Sequence, residues 1–330
     1  MSAQSASMPR SRPTHERTSP PLVIKHRSTG VVLTQIAAEN LKGVVLKEAT
    51  LSGADLNGQS LSRAQMPQAN LRVAWLSGCD FSEAELTGAI FEGAHLENAV
   101  FVRARMDRSR LLDARLNGAD FSGAILTGSN LVCTSARGAR FVKADLSHVD
   151  AEEADFRDAD FTGAILHTCR LANADLRGAC FEDASARDGI FIYADFTLAR
   201  LPRVVLTDAD LKGASLLECD LTDADLTETN LLRTRFDHAT LVRACFVDAN
   251  LSGARLVDTN LTGAVFAGAI LNGVDLRGAI LGGADFSHAH LLQNASLQGA
   301  TFDDLTRWPA EFRAHERGAR RVEVEEGTVA

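Results

Sequence analysis

Six cysteines and nine histidines are the residues of this 330-residue chain best suited to metal or redox chemistry. The cysteines stand at 79, 133, 169, 180, 219 and 245, and no two form a C-x-x-C pair. That spacing argues against a zinc site or a redox motif. It fits small structural side chains in a reducing compartment. His288 and His290 lie two residues apart, yet no cysteine or carboxylate pattern with metal-ligand spacing surrounds them. No Ser/His/Asp or Cys/His arrangement for nucleophilic catalysis stands out, and the glycines form no phosphate-binding loop. The sequence therefore predicts no catalytic residue, no metal and no cofactor. What remains is acid. The charged residues leave a net of −9, which opposes a basic nucleic-acid-binding surface.

The elements that must carry those charges obey one rule. In Asn117–Leu131, N-G-A-D-F-S-G-A-I-L-T-G-S-N-L, a large apolar residue recurs every fifth position, at Phe121, Leu126 and Leu131. From Leu41 to Leu291 the same count gives 51 centres, of which 46 are Leu or Phe. The exceptions are Met66, Met106, Ala136, Ala151 and Ala186. The residue two before the centre is Ala in 35 of the 51. A period of five matches neither helix nor strand. Kept for 250 residues, it is the mark of a solenoid whose units bury their apolar residues by stacking on neighbours. The small second position implies a narrow interior, and Asp, Asn, Ser, Thr, Arg and Gly fill the solvated turns between.

The motif A-[D/N]-[L/F]-[S/T/R]-G, as in Ala119–Gly123 and Ala174–Gly178 and, with Asn in the fourth place, in Ala54–Gly58, resembles that of the pentapeptide-repeat proteins. The resemblance runs from about Leu41 to Phe302. It implies an all-β fold, a right-handed quadrilateral β-helix with four pentapeptides per 20-residue coil. Columns of residues 20 apart fit this, since Phe81, Phe101, Phe121, Phe141, Phe161 and Phe181 would stack in successive coils. About 13 coils would make a rod of roughly 60 Å. The alanine centres are expected to thin the column, and Pro202 to break or kink it.

Four segments follow. Residues 1–21, rich in Ser, Pro and Arg, are expected to be a disordered tail without the hydrophobic run of a signal peptide. Residues 22–40 read as an N-terminal cap of two short strands, 41–305 as the repeats, and 306–330 as a C-terminal cap and tail. After Leu291 the phase slips by one, to Leu297 and Phe302, and Trp308 and Phe312 are expected to cover the last coil. Since family members often dimerise through this end, the resemblance implies a possible C-terminal homodimer. Nothing approaches membrane-spanning length, and the chain reads as cytoplasmic.

Counting in twenties assigns each pentapeptide to one of four faces. The face containing Leu86 has the largest negative sum, −6. Its later half carries Asp208, Asp225, Glu228, Asp248 and Asp285 without a Lys or Arg, and these are the candidate partner-binding residues. Some proteins of the resembled family bind DNA gyrase or topoisomerase IV in place of DNA and protect it from quinolones or peptide toxins. The resemblance thus implies a protein partner rather than nucleic acid, with mimicry confined to one face, because net charge falls far short of DNA's. A face kept charged only for solubility gives the same count. The alternative surface is apolar: Ile190, Ile192, Tyr193 and Leu198 should point outward near Leu217, as in a scaffolding solenoid that binds another protein.

Overall fold

A computed structural model describes residues 21–323. The expected N-terminal tail therefore lies outside the described residues except for Pro21, and so does the end of the C-terminal segment. The chain opens with an antiparallel hairpin of β1 (Leu22–Lys25) and β2 (Val32–Ile36). It then winds as a β-helix-type solenoid. From Val45 onward, the residue before each centre makes a parallel bridge to the residue 20 further on, as in Asp80↔Val100↔Asp120↔Arg140. Four such columns run up the rod, so the coil is 20 residues.

Each pentapeptide repeats one hydrogen-bond scheme. Around Phe121, the Phe121 N–H donates to Arg140 O (2.7 Å), Gly123 N–H to Val142 O (2.9 Å) and Ile125 N–H back to Ala104 O (3.0 Å). Ala124 N–H closes the turn onto Phe121 O (2.9 Å). The residue two after the centre takes positive φ, near 57° at Glu228 and 66° at Gly123. This is the turn position that glycine favours. From Ala64 to Phe286 the centre and the residue two before it point inward and are buried in every repeat, whereas Gln59 in the first coil is exposed at the same position.

The residue just after each centre is the exception, because its N–H gives nothing to the ladder. At Ser122 and Thr162 it donates instead to the carboxylate of Asp120 (2.9 Å) or Asp160 (3.0 Å) two residues earlier. Both prolines of the repeats, Pro67 and Pro202, occupy this position. Their carbonyls still accept from Glu48 (2.9 Å) and Asp183 (3.2 Å). Pro202 is buried and the ladder runs through it, so the expected kink is absent. The ladder never needed that N–H.

Inside, the six phenylalanines from Phe81 to Phe181 stack in one column, with ring centroids 4.6 to 5.0 Å apart. The alanine centres are fully buried, and rings from neighbouring positions lean across the interior near them. Phe156 packs edge-on against Phe141 (5.7 Å) and Phe161 (5.3 Å). The Phe191 ring lies so close to Gly189 that a Cβ there would come within 2.6 Å of it. Gly189, at the inward position three residues after Ala186, makes room for that ring.

The phase changes at Leu291 itself rather than after it. Leu291 is 42% exposed with φ 58°, and Leu292 takes the buried slot at 1%. One extra residue is absorbed by the left-handed turn and the short 3-10 turn Leu292–Asn294 that follows. A second is absorbed by residues 303–306, since Asp285 bridges to Arg307 rather than to 305. There the Asp303 carboxylate accepts the N–H groups of Gly283 (2.8 Å), Leu305 (3.0 Å) and Thr306 (3.0 Å). The last elements among the described residues are β3 (Thr301–Phe302), a 3-10 turn Ala314–Arg317, and β4 (Arg320–Arg321) parallel to β3.

Candidate partner-binding surfaces

Side chains at the turn position, two after each centre, leave the rod outward, and those 20 apart are one strand spacing apart, about 4.8 Å. In the column centred on Leu206, Leu226 and Phe246 this position holds Asp188, Asp208, Glu228 and Asp248 in four successive coils. The coils are tied directly beneath them: Asp208 N–H donates to Thr227 O (3.0 Å) and Glu228 N–H to Val247 O (2.8 Å). All four carboxylates are exposed, and none has an ion-pair partner among the described residues. Like charges facing each other across adjacent strands repel.

The preceding corner solves the same problem differently. There Glu83 is bracketed by Arg63 (2.9 Å) and Arg103 (3.0 Å), Asp183 by Arg203 (2.7 Å), and Asp223 by Arg243 (2.6 Å). The hydrogen bonds from Arg203 and Arg243 hold the carboxyls of Asp183 and Asp223 below the usual range. One corner alternates charge up the rod, and the next stacks acid on acid.

Of the residues singled out from sequence, Asp208, Glu228 and Asp248 come together in the acidic row. Asp225 and Asp285 do not. Both sit at the bridging position, half-buried, on the flat side between turns. Asp225 accepts the Thr227 N–H (3.1 Å) and hydroxyl (2.6 Å). Asp285 does the same for Ser287 and is met by Arg307 at 3.4 Å, a cation beyond the phase slips. Asp188 belongs to the row but escaped the sequence reading because Arg187 precedes it; counting twenty back from Asp208 finds it.

On the neighbouring corners Tyr193 and Leu198 are each 59% exposed. The Tyr193 ring lies over Gly213, where a Cβ would come within 2.5 Å of it. The Leu198 N–H donates to Leu217 O (2.9 Å), which places Leu217 on the next coil beside it. Ile192 is half-buried, and Ile190 is a bridging residue between Arg170 and Asp210. The apolar surface therefore centres on Tyr193 and Leu198.

A further cluster, unseen in the sequence, joins the hairpin to the rod. Trp75 stacks on His95 (3.9 Å, planes 8° apart), and the Arg27 guanidinium lies 3.9 Å over the Trp75 ring. Arg27 also pairs with Asp55 at 3.1 Å. Asp55, Trp75 and His95 are twenty apart, which was the available signal.

All six cysteines are free thiols. Cys79, Cys169 and Cys219 fill the small inward position. Burial pushes Cys79 and Cys219 up to about 12 and raises Cys169 as well, so these thiols stay protonated and inert. No group of three or more His, Cys, Asp or Glu among the described residues is placed to hold a metal ion. No helix among them is long and apolar enough to cross a membrane.

The pentapeptide-repeat family matches residues 40–101 and 104–304 in overlapping segments. Among solved structures, a pentapeptide repeat protein of Nostoc, alr5209, is 35% identical over 31% of this chain and 84% of its own, with a TM-score of 0.30. HetL, a Nostoc pentapeptide repeat protein involved in heterocyst differentiation regulation, is 28% identical over 80% of this chain and 92% of its own (TM-score 0.21). QnrB1, a plasmid-mediated fluoroquinolone resistance protein, is 21% identical over 64% and 88% (TM-score 0.34). No curated protein matches the chain. With its five-residue rule, its 20-residue coils and a family match over most of its length, the chain belongs to the pentapeptide-repeat family.

Proposed function

We propose that this is a cytoplasmic, non-enzymatic binding protein that docks on DNA gyrase or topoisomerase IV as a local mimic of DNA and protects it from a poison. The reading takes the rod as right-handed and square in section, as family membership implies. The observation that carries it is the unpaired row Asp188, Asp208, Glu228 and Asp248. Four carboxylates at about 4.8 Å extend over about 14 Å. One DNA strand places about five phosphates along that length, at roughly 3.4 Å each. The row reaches about seven-tenths of the charge density of a single strand, on one corner only, while the neighbouring corner neutralises itself. Lys and Arg that normally hold phosphates would find carboxylates in their place.

The test reverses Asp208, Glu228 and Asp248 to Lys together. Binding to gyrase should weaken by several kcal/mol, because like charges would then face each other. Binding by the parent should also fall steeply with salt. A folded triple variant that protects supercoiling from a quinolone or toxin as well as the parent does would end the proposal. A second reading, a scaffolding solenoid, is favoured by the exposure of Tyr193 and Leu198. It expects charge reversal to do little, and Tyr193→Ala with Ile192→Asp to abolish partner capture.

A further inference from the structure

The two ends of the rod are finished differently. At the C-terminal end the outermost strand, β4, consists of Arg320 and Arg321, and charge of that kind blunts an edge against pairing. At the N-terminal end β1 is bonded on both sides. It pairs with β2 on one, and on the other with the first coil through Arg27 N–H to Gly53 O (2.9 Å) and Asp55 N–H to Lys25 O (3.1 Å). β2 has β1 on one side and no strand on the other among the described residues. The coils themselves offer single-residue bridges between turns, so they give a linear strand nothing to follow.

The free edge of β2 lacks the usual protections. Val31–Ile36 reads V-V-L-T-Q-I, without charge, proline or glycine. Val31 is 60% and Val32 45% exposed. Such an uncharged, β-branched edge is a template for another strand.

We propose that β2 pairs antiparallel with β2 of a second copy of this chain, giving a continuous four-stranded sheet across two rods. Charge selects both the occupant and the direction. The turn end of the hairpin carries Lys25 and, already paired with Asp55, Arg27, and the opposite end leads to Glu39. Lys25 and Glu39 have no ion-pair partner among the described residues. A two-fold axis through Leu33 sets Val31 opposite Gln35 and brings Glu39 of one copy level with the basic turn of the other. A parallel arrangement would set basic end against basic end. The contact is self-complementary and closes at two copies. It also enlarges a two-stranded sheet of a kind that is marginal alone. An edge of six residues buries less than a standard interface of about 1,600 Å², so the dimer belongs to the weak, concentration-dependent class.

Sedimentation of the full chain from low to high micromolar concentration tests this, with amide exchange followed at residues 31–36. The expected result is a reversible dimer whose formation protects those amides. Val31→Lys with Gln35→Lys, both at exposed positions, should weaken it at least about tenfold with the melting temperature unchanged. Glu39→Lys should weaken it by bringing two basic ends together, whereas Leu305→Lys at the far end should leave it alone. A monomer throughout would overturn the proposal, as would a dimer indifferent to the β2 lysines or broken by Leu305→Lys. Concentration-independent protection of those amides of residues 31–36 that do not bond β1 would assign the edge to the chain's own N-terminal residues and overturn it equally.

Discussion

Phe286 and Trp308 stack with ring centroids 5.1 Å apart and planes within 6°, although 22 residues separate them where the regular coils repeat every 20. Trp308 therefore continues the column Phe246, Phe266, Phe286 after the chain has absorbed two extra residues. Phe302 packs edge-on to the same ring (5.5 Å), and Phe312 stacks beyond it (5.2 Å). The last coil is closed by the side-chain type that fills the interior.

Trp308→Ala should therefore cost about 3 kcal/mol, through lost stacking and the cavity left under Phe312. Trp308→Phe keeps a ring in the column and should stay within about 1.5 kcal/mol. Chemical unfolding of both variants checks this. Equal losses would mean that the indole edge, not the stack, holds the end together.

Much of this was legible in the sequence. The columns, the 20-residue coil and the inward cysteines follow from counting, because each inward side chain meets the same two neighbours in every coil. The interruptions were less legible. Leu291 and Leu292 are both leucine, so composition cannot say which turns inward; the backbone decides, by placing 291 in a left-handed turn. Pro202 misled because ladder participation was assumed for every N–H. The acidic row was seen only in part, since summing charge over a face mixes turn positions such as Glu228 with bridging ones such as Asp225.

The idle N–H just after each centre makes a sharp forecast for proline. Val142 occupies this position, and its N–H has no partner among the described residues, while its carbonyl accepts from Gly123 at 2.9 Å. Val142→Pro should be tolerated within about 1 kcal/mol, since proline suits the first central residue of this turn. Arg140→Pro, two residues earlier, removes the bond from Arg140 N–H to Ala119 O (2.9 Å) and should cost about 3 kcal/mol or more. Thermal unfolding of the pair tests the scheme, and comparable damage from both would refute it.

Acid should erode the paired corner. Arg203 and Arg243 depress the carboxyls of Asp183 and Asp223, so the unfolded chain binds those protons more readily than the folded one. The stability they contribute is present above the ordinary carboxylate pKa, about 3.9, and is lost as pH falls through the depressed values. The melting temperature should drop as pH is lowered through and below about 4. The drop should be shallower in Arg203→Ala with Arg243→Ala, which has less to lose. An acid limb identical to the parent's would show that these pairs do not couple to folding.

The unpaired row should respond to neutralisation with the opposite sign. Asp208→Asn with Glu228→Gln removes every adjacent like-charge contact among Asp188, Asp208, Glu228 and Asp248. Repulsion across neighbouring strands is then relieved, and the melting temperature should rise at low salt, by about 1–3 °C for a chain of this size. Asp223→Asn on the neighbouring corner should lower it, because Arg243 loses its partner at 2.6 Å. Salt separates the two effects from packing. Screening shortens from about 10 Å at 0.1 M to 3 Å at 1 M, so both differences should shrink together. A row kept at a cost to stability, beside a corner that neutralises itself, is what a surface reserved for a cationic partner requires. If neutralising the row lowers the melting temperature as Asp223→Asn does, the carboxylates serve the fold and the functional reading loses its support.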